Sequence, residues 1–401
     1  MENWFKDARY GMFIHWGAYS AAARGEWVYN RERIGKEEYL EKYVKNFKAE
    51  NYNPDEWTQL AKDVGMKYVV LTAKHHDGFC LWNTKTTDYN AAIFGPKKDL
   101  VAEYVNAVRR AGLKVGIYYS PADWAHPDYP DAYSRDWPLV WDDEVKRKRF
   151  VAFYTEQLRE LMTNYGKIDI LWYDGCLPQP LDGNEVNAMV RSLQPEILIS
   201  ARNGSPYDFS VCEQAIVPPK DDRLWEACMT LNDNWGYHAG DSDYKSPREV
   251  VKMLLSVAQG GGNLLLNVGP KSDGTIPEQS VEILEKVGKW LKVNGDAIYG
   301  SEKSPFSHSP SHMITVKGNR IYIHVIKRLS EICVAEIKNP IKRMFLLQNG
   351  EDCQFNQTEE GRLFVSGIPD TEGTAVTLVC ETEGKPEPIV KKGTFWIPGQ
   401  D

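Results

Sequence analysis

The sequence predicts an α/β protein in two parts: a closed (β/α)8-like (TIM-type) barrel over residues 1–300, then an antiparallel β-sandwich over residues 301–401. Three observations carry this reading. Short apolar runs alternate with helical patterns through the first 300 residues, as a parallel sheet requires. The length and the number of repeats favour a closed barrel over an open sheet. Beyond Gly300 the pattern becomes short alternating runs separated by Gly, Asn and Asp, as in packed antiparallel sheets.

In chain order, YGMFIHW (Tyr10 to Trp16) reads as the first strand, and helical patterns follow at 36–47 and 55–64. KYVVLTA (Lys67 to Ala73) is the second strand, running into Lys74-His75-His76-Asp77-Gly78. A helix over 100–111 leads to the strand LKVGIYY (Leu113 to Tyr119), and a long amphipathic helix over 143–164 leads to IDILWY (Ile168 to Tyr173). That strand delivers Asp174 just before Gly175, where the chain can turn at little steric cost. A helix at 184–193 and the strand Ile197 to Ala201 follow, with Arg202 at its end. The segment 203–245 reads as irregular, and the helix 247–258, the strand GNLLLNV (Gly262 to Val268) and the helix 277–292 close the region. The alternating runs HMITV, RIYIHVI, EICVAEI, RMFLLQ, RLFVSGI and AVTLVCE then predict a sandwich almost free of helix.

Composition narrows the partners. Lys plus Arg is 48 against 56 Asp plus Glu, a net charge of -8, which argues against nucleic acid. The 13 Trp, 21 Tyr and 13 Phe suit a site that stacks sugar rings, and equally suit a large core. The seven cysteines show no CxxC spacing and are odd in number, which fits free thiols in a reduced compartment. No apolar run is long enough to span a membrane, and Met1-Glu2-Asn3-Trp4-Phe5-Lys6 has no signal-peptide character. The expected location is cytoplasmic, or periplasmic or secreted if a leader has been removed.

In a barrel, residues at the carboxyl ends of the strands converge on one face. His15, Trp16, His75, His76, Tyr119, Asp174 and Arg202 all stand there. His75-His76-Asp77 raises the possibility of zinc. Adjacent residues on an extended segment point in opposite directions, and no HExxH or Cys/His cluster supports a metal, so neither metal nor cofactor is expected. Neutral histidines hydrogen-bonding sugar hydroxyls fit better. A retaining glycosidase needs a carboxylate nucleophile and a second carboxyl group about 5–5.5 Å away that serves as acid and then base. Asp174 has the rigidity of the first, and Arg202 is expected to keep it ionised. Glu213 and Glu226, on the longer segment, are the candidates for the second, with Trp225 expected to desolvate Glu226.

The motifs GMFIHWG (11–17), EW (26–27), KHHDGF (74–79), GIYYS (116–120), LWYDG (171–175), WEACMTLNDNWGY (225–237), GGGNLLLNVGP (260–270) and NGDAIYG (294–300) resemble, in order, those of the α-L-fucosidases of glycoside hydrolase family 29. The resemblance implies a distorted barrel followed by a β-sandwich, and hydrolysis of terminal α-L-fucosyl residues from oligosaccharides or glycoconjugates with retention of configuration. It implies Asp174 as nucleophile and His15, Glu26, Trp27, His75, His76, Tyr119, Trp172 and Arg202 as fucose-binding positions. Glu213 stands where many members carry Thr-Pro-Glu, and Glu226 is the Glu of a Trp-Glu pair assigned in others; this chain has no Thr-Pro before Glu213. The expected partner is a fucosylated glycan, with no nucleic acid or membrane and with oligomers open. The competing readings are a lectin-like protein that binds fucose without turnover, an exo-glycosidase acting on another L-sugar such as an α-L-galactoside, and a metal-dependent hydrolase using His75, His76 and Asp77.

Overall fold

The computed structural model describes residues 4–130, 141, 143–175, 181–307, 309–370 and 373–389. Cys176 and the first three residues, both read in the sequence, lie outside them. Eight strands form one parallel sheet: β1 (Tyr10–Ile14), β2 (Tyr68–Lys74), β3 (Lys114–Tyr119), β4 (Ile170–Tyr173), β5 (Leu198–Ile199), β6 (Phe209–Glu213), β7 (Leu224–Thr230) and β8 (Asn263–Val268). Their order is β5-β4-β3-β2-β1-β8-β7-β6. The two ends of the sheet meet through one parallel bridge, Ser200 to Phe209. Two backbone bonds support it, Ala201 N–H to Phe209 O at 3.0 Å and Asp208 N–H to Ile199 O at 2.8 Å. The barrel is therefore closed but distorted, with a thin seam between β5 and β6.

The sequence explains why the strands are uniformly apolar. β1, β2, β4 and β8 are buried along their whole length, because helices cover the outside while side chains fill the inside. The crossover helices are capped where their sequences allow it. Asp99 accepts from Ala102 N–H at the start of the helix Leu100–Ala111, which ends at Gly112 with φ 76°. Ser246 and Glu249 form a reciprocal capping box on the helix Pro247–Gln259.

The segment read as irregular between 203 and 245 contains β6 and β7. FSVCE and LWEACMT carry Glu and Cys inside the run, which hides the strand pattern; pairing of Phe209 to Leu224 through Glu213 to Cys228 compensates. One consequence concerns Glu213, which ends a barrel strand instead of riding a loose loop.

After the helix Glu278–Asn294 come β9 (His312–Lys317), β10 (Arg320–Val325), β11 (Glu331–Val334), β12 (Ile341–Leu346), β13 (Phe355–Gln357), β14 (Leu363–Ser366) and β15 (Val376–Thr382). They make two antiparallel sheets, β12-β15-β10-β9 and β11-β14-β13. Ile323, Val325, Met344, Leu363, Val365 and Leu378 belong to the apolar core of this part. The helix Glu278–Asn294 ties it to the barrel, since Trp290 Nε1–H donates to Ala375 O at 2.9 Å. Among the described residues no helix interrupts these strands. The three-residue β13 escapes the sequence pattern because FNQ has no apolar alternation.

No described helix is long and apolar enough to cross a membrane. Cys80, Cys212, Cys228, Cys333, Cys353 and Cys380 are free thiols.

Candidate active site

A cavity of about 250 Å³ is lined by Phe13, His15, Trp27, His76, Tyr118, Trp172, Asp174, Arg202, Glu213, Cys228 and Trp235. It lies at the carboxyl ends of the barrel strands, where such folds keep their chemistry. Asp174 follows β4 directly. Its Oδ1 accepts from Arg202 Nη1–H at 2.5 Å and its Oδ2 from the Tyr118 hydroxyl at 2.9 Å. His76 Nε2 stands 3.6 Å from Oδ2. Burial pushes the Asp174 carboxyl up, but the Arg202 charge and the hydrogen bonds from Tyr118 and Arg202 outweigh it and hold it below the usual carboxylate range.

Glu213 lies across the β5–β6 seam from Arg202, whose Nη2–H donates to Glu213 Oε2 at 2.6 Å. One guanidinium therefore joins both acids. The Asp174 side chain is 21% exposed and the Glu213 side chain 43%. The first acid is held on several sides, whereas the second is open to solvent. The Arg202 guanidinium also lies over the Trp172 ring, 5.2 Å from its centre.

The histidines are fixed by partners behind the wall. Asn267 donates its amide to Trp235 O at 2.7 Å, so its Oδ1, 2.7 Å from His15 Nδ1, accepts from that nitrogen. Ser120 donates to Ala122 O at 2.9 Å and so accepts from His76 Nδ1, 2.6 Å away. Burial is the leading cause that brings the pKa of His15 and of His76 down to about 4. Both rings are therefore neutral at pH 7, with Nε2 left as an acceptor.

Several predicted positions fall elsewhere. Tyr119 points away from the cavity and donates to Gln157 Oε1 at 2.7 Å, while its neighbour Tyr118 faces Asp174. Successive strand residues face opposite sides, so the site tyrosine of GIYYS is one residue earlier than the sequence pattern suggests. Trp16 is buried outside the cavity, stacked on Tyr52 and bonded to Lys271 O. Glu26 is buried and accepts from Gly236 N–H at 2.8 Å. His75 is packed behind Tyr118, the two rings 5.6 Å apart and 4° from parallel. Glu226 sits inside the barrel, fully buried, beneath Trp172. Its burial comes from Tyr68 and Trp172 rather than from Trp225, whose indole turns the other way to Gly260 O. His75 and His76 do not point apart: their rings lie 4.1 Å from centre to centre, because a register shift at Thr72/Lys74 ends regular pairing before them. Among the described residues no three His, Cys, Asp or Glu side chains form a metal-binding group.

Phe13, Tyr118, Cys228 and Trp235 line the cavity, and sequence reasoning does not single them out. All four stand inside motifs already noticed, and Phe13, two residues before His15, also shares its face of β1 by period-2 alternation.

Comparisons with known proteins agree with this architecture. The alpha-L-fucosidase family profile matches residues 1–296. Human plasma alpha-L-fucosidase is 36% identical over 335 residues, covering 74% of this chain and 68% of that protein. The solved structure of alpha-L-fucosidase isoenzyme 1 from Paenibacillus thiaminolyticus is 39% identical, with a TM-score of 0.87, over 95% of this chain and 98% of that one. A covalent intermediate of the Bacteroides thetaiotaomicron enzyme, trapped with 2-fluoro-fucosyl fluoride in a glutamate-to-glutamine mutant, is 28% identical with a TM-score of 0.85, over 95% of both chains. This chain belongs to the alpha-L-fucosidase family, glycoside hydrolase family 29.

Proposed function

We propose that this retaining α-L-fucosidase uses Asp174 as nucleophile and Glu213 as general acid and base. The observation that carries the assignment is that these two acids face one cavity and share Arg202, one closely held and the other exposed. In the first step an Asp174 oxygen bonds to the anomeric carbon as the glycosidic C–O bond breaks. Glu213 gives its proton to the departing oxygen. In the second, water gives a proton to Glu213 and its oxygen displaces Asp174 from the same carbon, releasing L-fucose and restoring both groups. Glu213 is paired to Arg202 in the free enzyme, so delivering a proton requires its carboxyl to leave that contact for the leaving group.

His15 and His76 offer acceptor nitrogens to sugar hydroxyls, and Arg202 and Trp27 supply a donor and an apolar wall. Glu26 and His75 support that wall from behind. The apolar faces of Phe13, Tyr118 and Trp235 suit a sugar bearing a methyl group, although a methyl discriminates only modestly. Residues 1–300 are read as the catalytic part and 301–401 as a structural partner. The deciding experiment is proton NMR of aryl α-L-fucoside hydrolysis. α-L-Fucose as the first product supports the two-step mechanism and β-L-fucose overturns it, while the azide products of the Asp174 and Glu213 variants test which acid does which. Binding without release would instead favour the lectin-like reading.

A further inference from the structure

Glu226 is a buried carboxyl group that the two-acid mechanism does not use. Its Oε1 accepts from Trp172 Nε1–H at 2.9 Å, and its Oε2 accepts from the Tyr68 hydroxyl. Tyr68 reaches it across the barrel interior because Gly11 pairs with it and leaves room: a Cβ there would lie 2.4 Å from the Tyr68 ring. The face of the same indole matters most. Trp172 carries the Arg202 guanidinium on its ring, and Arg202 holds both Asp174 and Glu213. A continuous path therefore runs from the barrel interior to both acids.

We propose that Glu226 is a positioning residue that fixes the tilt of the Trp172 indole, and through it the seat of Arg202. The residue has no access to a leaving group, since it is fully buried and lies outside the cavity. An indole on a strand end can rotate about its side-chain bonds, and Arg202 stacked on it would follow. Phe13 and Tyr118 pack against the ring, 5.0 and 5.7 Å away from centre to centre, and the buried acceptor on Nε1–H fixes the tilt that this packing leaves. The carboxylate form suits the task, because both of its oxygens meet donors. This inference rests on the two-acid reading above and deepens it.

The test compares Glu226→Gln, which keeps an acceptor for Trp172, with Glu226→Leu, which removes it. Both are assayed beside the parent on aryl α-L-fucosides of good and poor leaving groups, with and without azide. Glu226→Gln is expected within about threefold of the parent, and Glu226→Leu is expected to lose about 10- to 100-fold in kcat/KM, a loss typical of small misplacement. The loss should be equal for good and poor leaving groups and not restored by azide, whereas a Glu213→Ala variant should lose far more on poor leaving groups and recover with azide. If Glu226→Leu does not fold, Glu226→Met removes the same carboxylate acceptor at nearly the same volume, and the same leaving-group-independent loss is expected. Parent-like kinetics in the variant lacking the bond overturns the proposal. So does a Glu226→Gln variant with leaving-group-dependent loss and azide rescue. A parent that releases no fucose would count against the proposed function instead.

Discussion

Arg202 binds Asp174 through Nη1 at 2.5 Å and Glu213 through Nη2 at 2.6 Å. Replacing it with Gln removes the charge that keeps Asp174 ionised. We expect kcat/KM to fall on the order of 10²-fold or more, as for other transition-state charge contacts. The Asp174 carboxyl, no longer held low, should rise, so the acid limb of the kcat/KM profile moves to higher pH. An unmoved limb would separate Arg202 from the ionisation of Asp174.

Removing either acid should leave a distinct chemical trace. Asp174→Ala is expected to fold and to lose roughly 10³-fold or more in turnover, as nucleophile deletions do. With azide, Asp174→Gly should yield β-L-fucosyl azide by a single displacement. Glu213→Ala should yield the α-azide, because the covalent intermediate still forms. NMR of the azide products decides both, and reversed anomers would exchange the two roles.

Tyr118 and Tyr119 should separate activity from stability. Tyr118→Phe removes a donor to Asp174 and is expected to lower kcat/KM by about 10-fold, the worth of one hydrogen bond to a charged group. Tyr119→Phe leaves Gln157 Oε1 without its 2.7 Å donor. It should cost about 1 kcal/mol of stability, read by urea titration, with kcat/KM unchanged.

Acid should weaken the fold through buried histidines. Burial brings the pKa of His324 down to about 3, and that of His15 and His76 to about 4, against 6.5 as the reference value. Below pH 6.5 the unfolded chain takes up these protons first, so stability falls as pH drops and the loss continues to the folded-state values. Near pH 5 each such histidine costs about 2 kcal/mol relative to about pH 8. Burial raises Glu226 and Asp77 to about 7, which works in the opposite sense: those groups favour the fold below their folded values and weaken it as pH rises through them. His324→Gln, far from the cavity, should flatten the acid limb of a urea-midpoint profile; an unaltered slope would assign the acid sensitivity elsewhere.

The barrel is legible wherever a strand is an unbroken apolar run, as in Val69 to Leu71 or Leu264 to Leu266. Asp174 and Arg202 are legible because a charge directly after such a run has few other places to go. The parity of β3 is not: all but its first residue are buried, so alternation gives no clue to which tyrosine faces inward. Trp16 misleads for a related reason, its large ring suiting a core as well as a sugar. β5, with only Leu198–Ile199, and the polar β6 lack the length or pattern to announce themselves. Glu226 looks like a proton donor because its setting is visible only once Tyr68 and Trp172 converge on it from other strands.

Among the described residues the bridge from Ser200 to Phe209 is the one strand pairing that closes the sheet, and Asp174 and Glu213 stand on opposite sides of it. β4, paired with β3 and β5, would on the proposed roles give the nucleophile a stiff shoulder through both displacements. Among the described residues β6 pairs along its length only with β7, so on the proposed roles the proton carrier would ride on the more compliant flank. The Arg202–Glu213 contact spans that join like a clasp, and on the proposed roles it would open when a leaving group claims the glutamate.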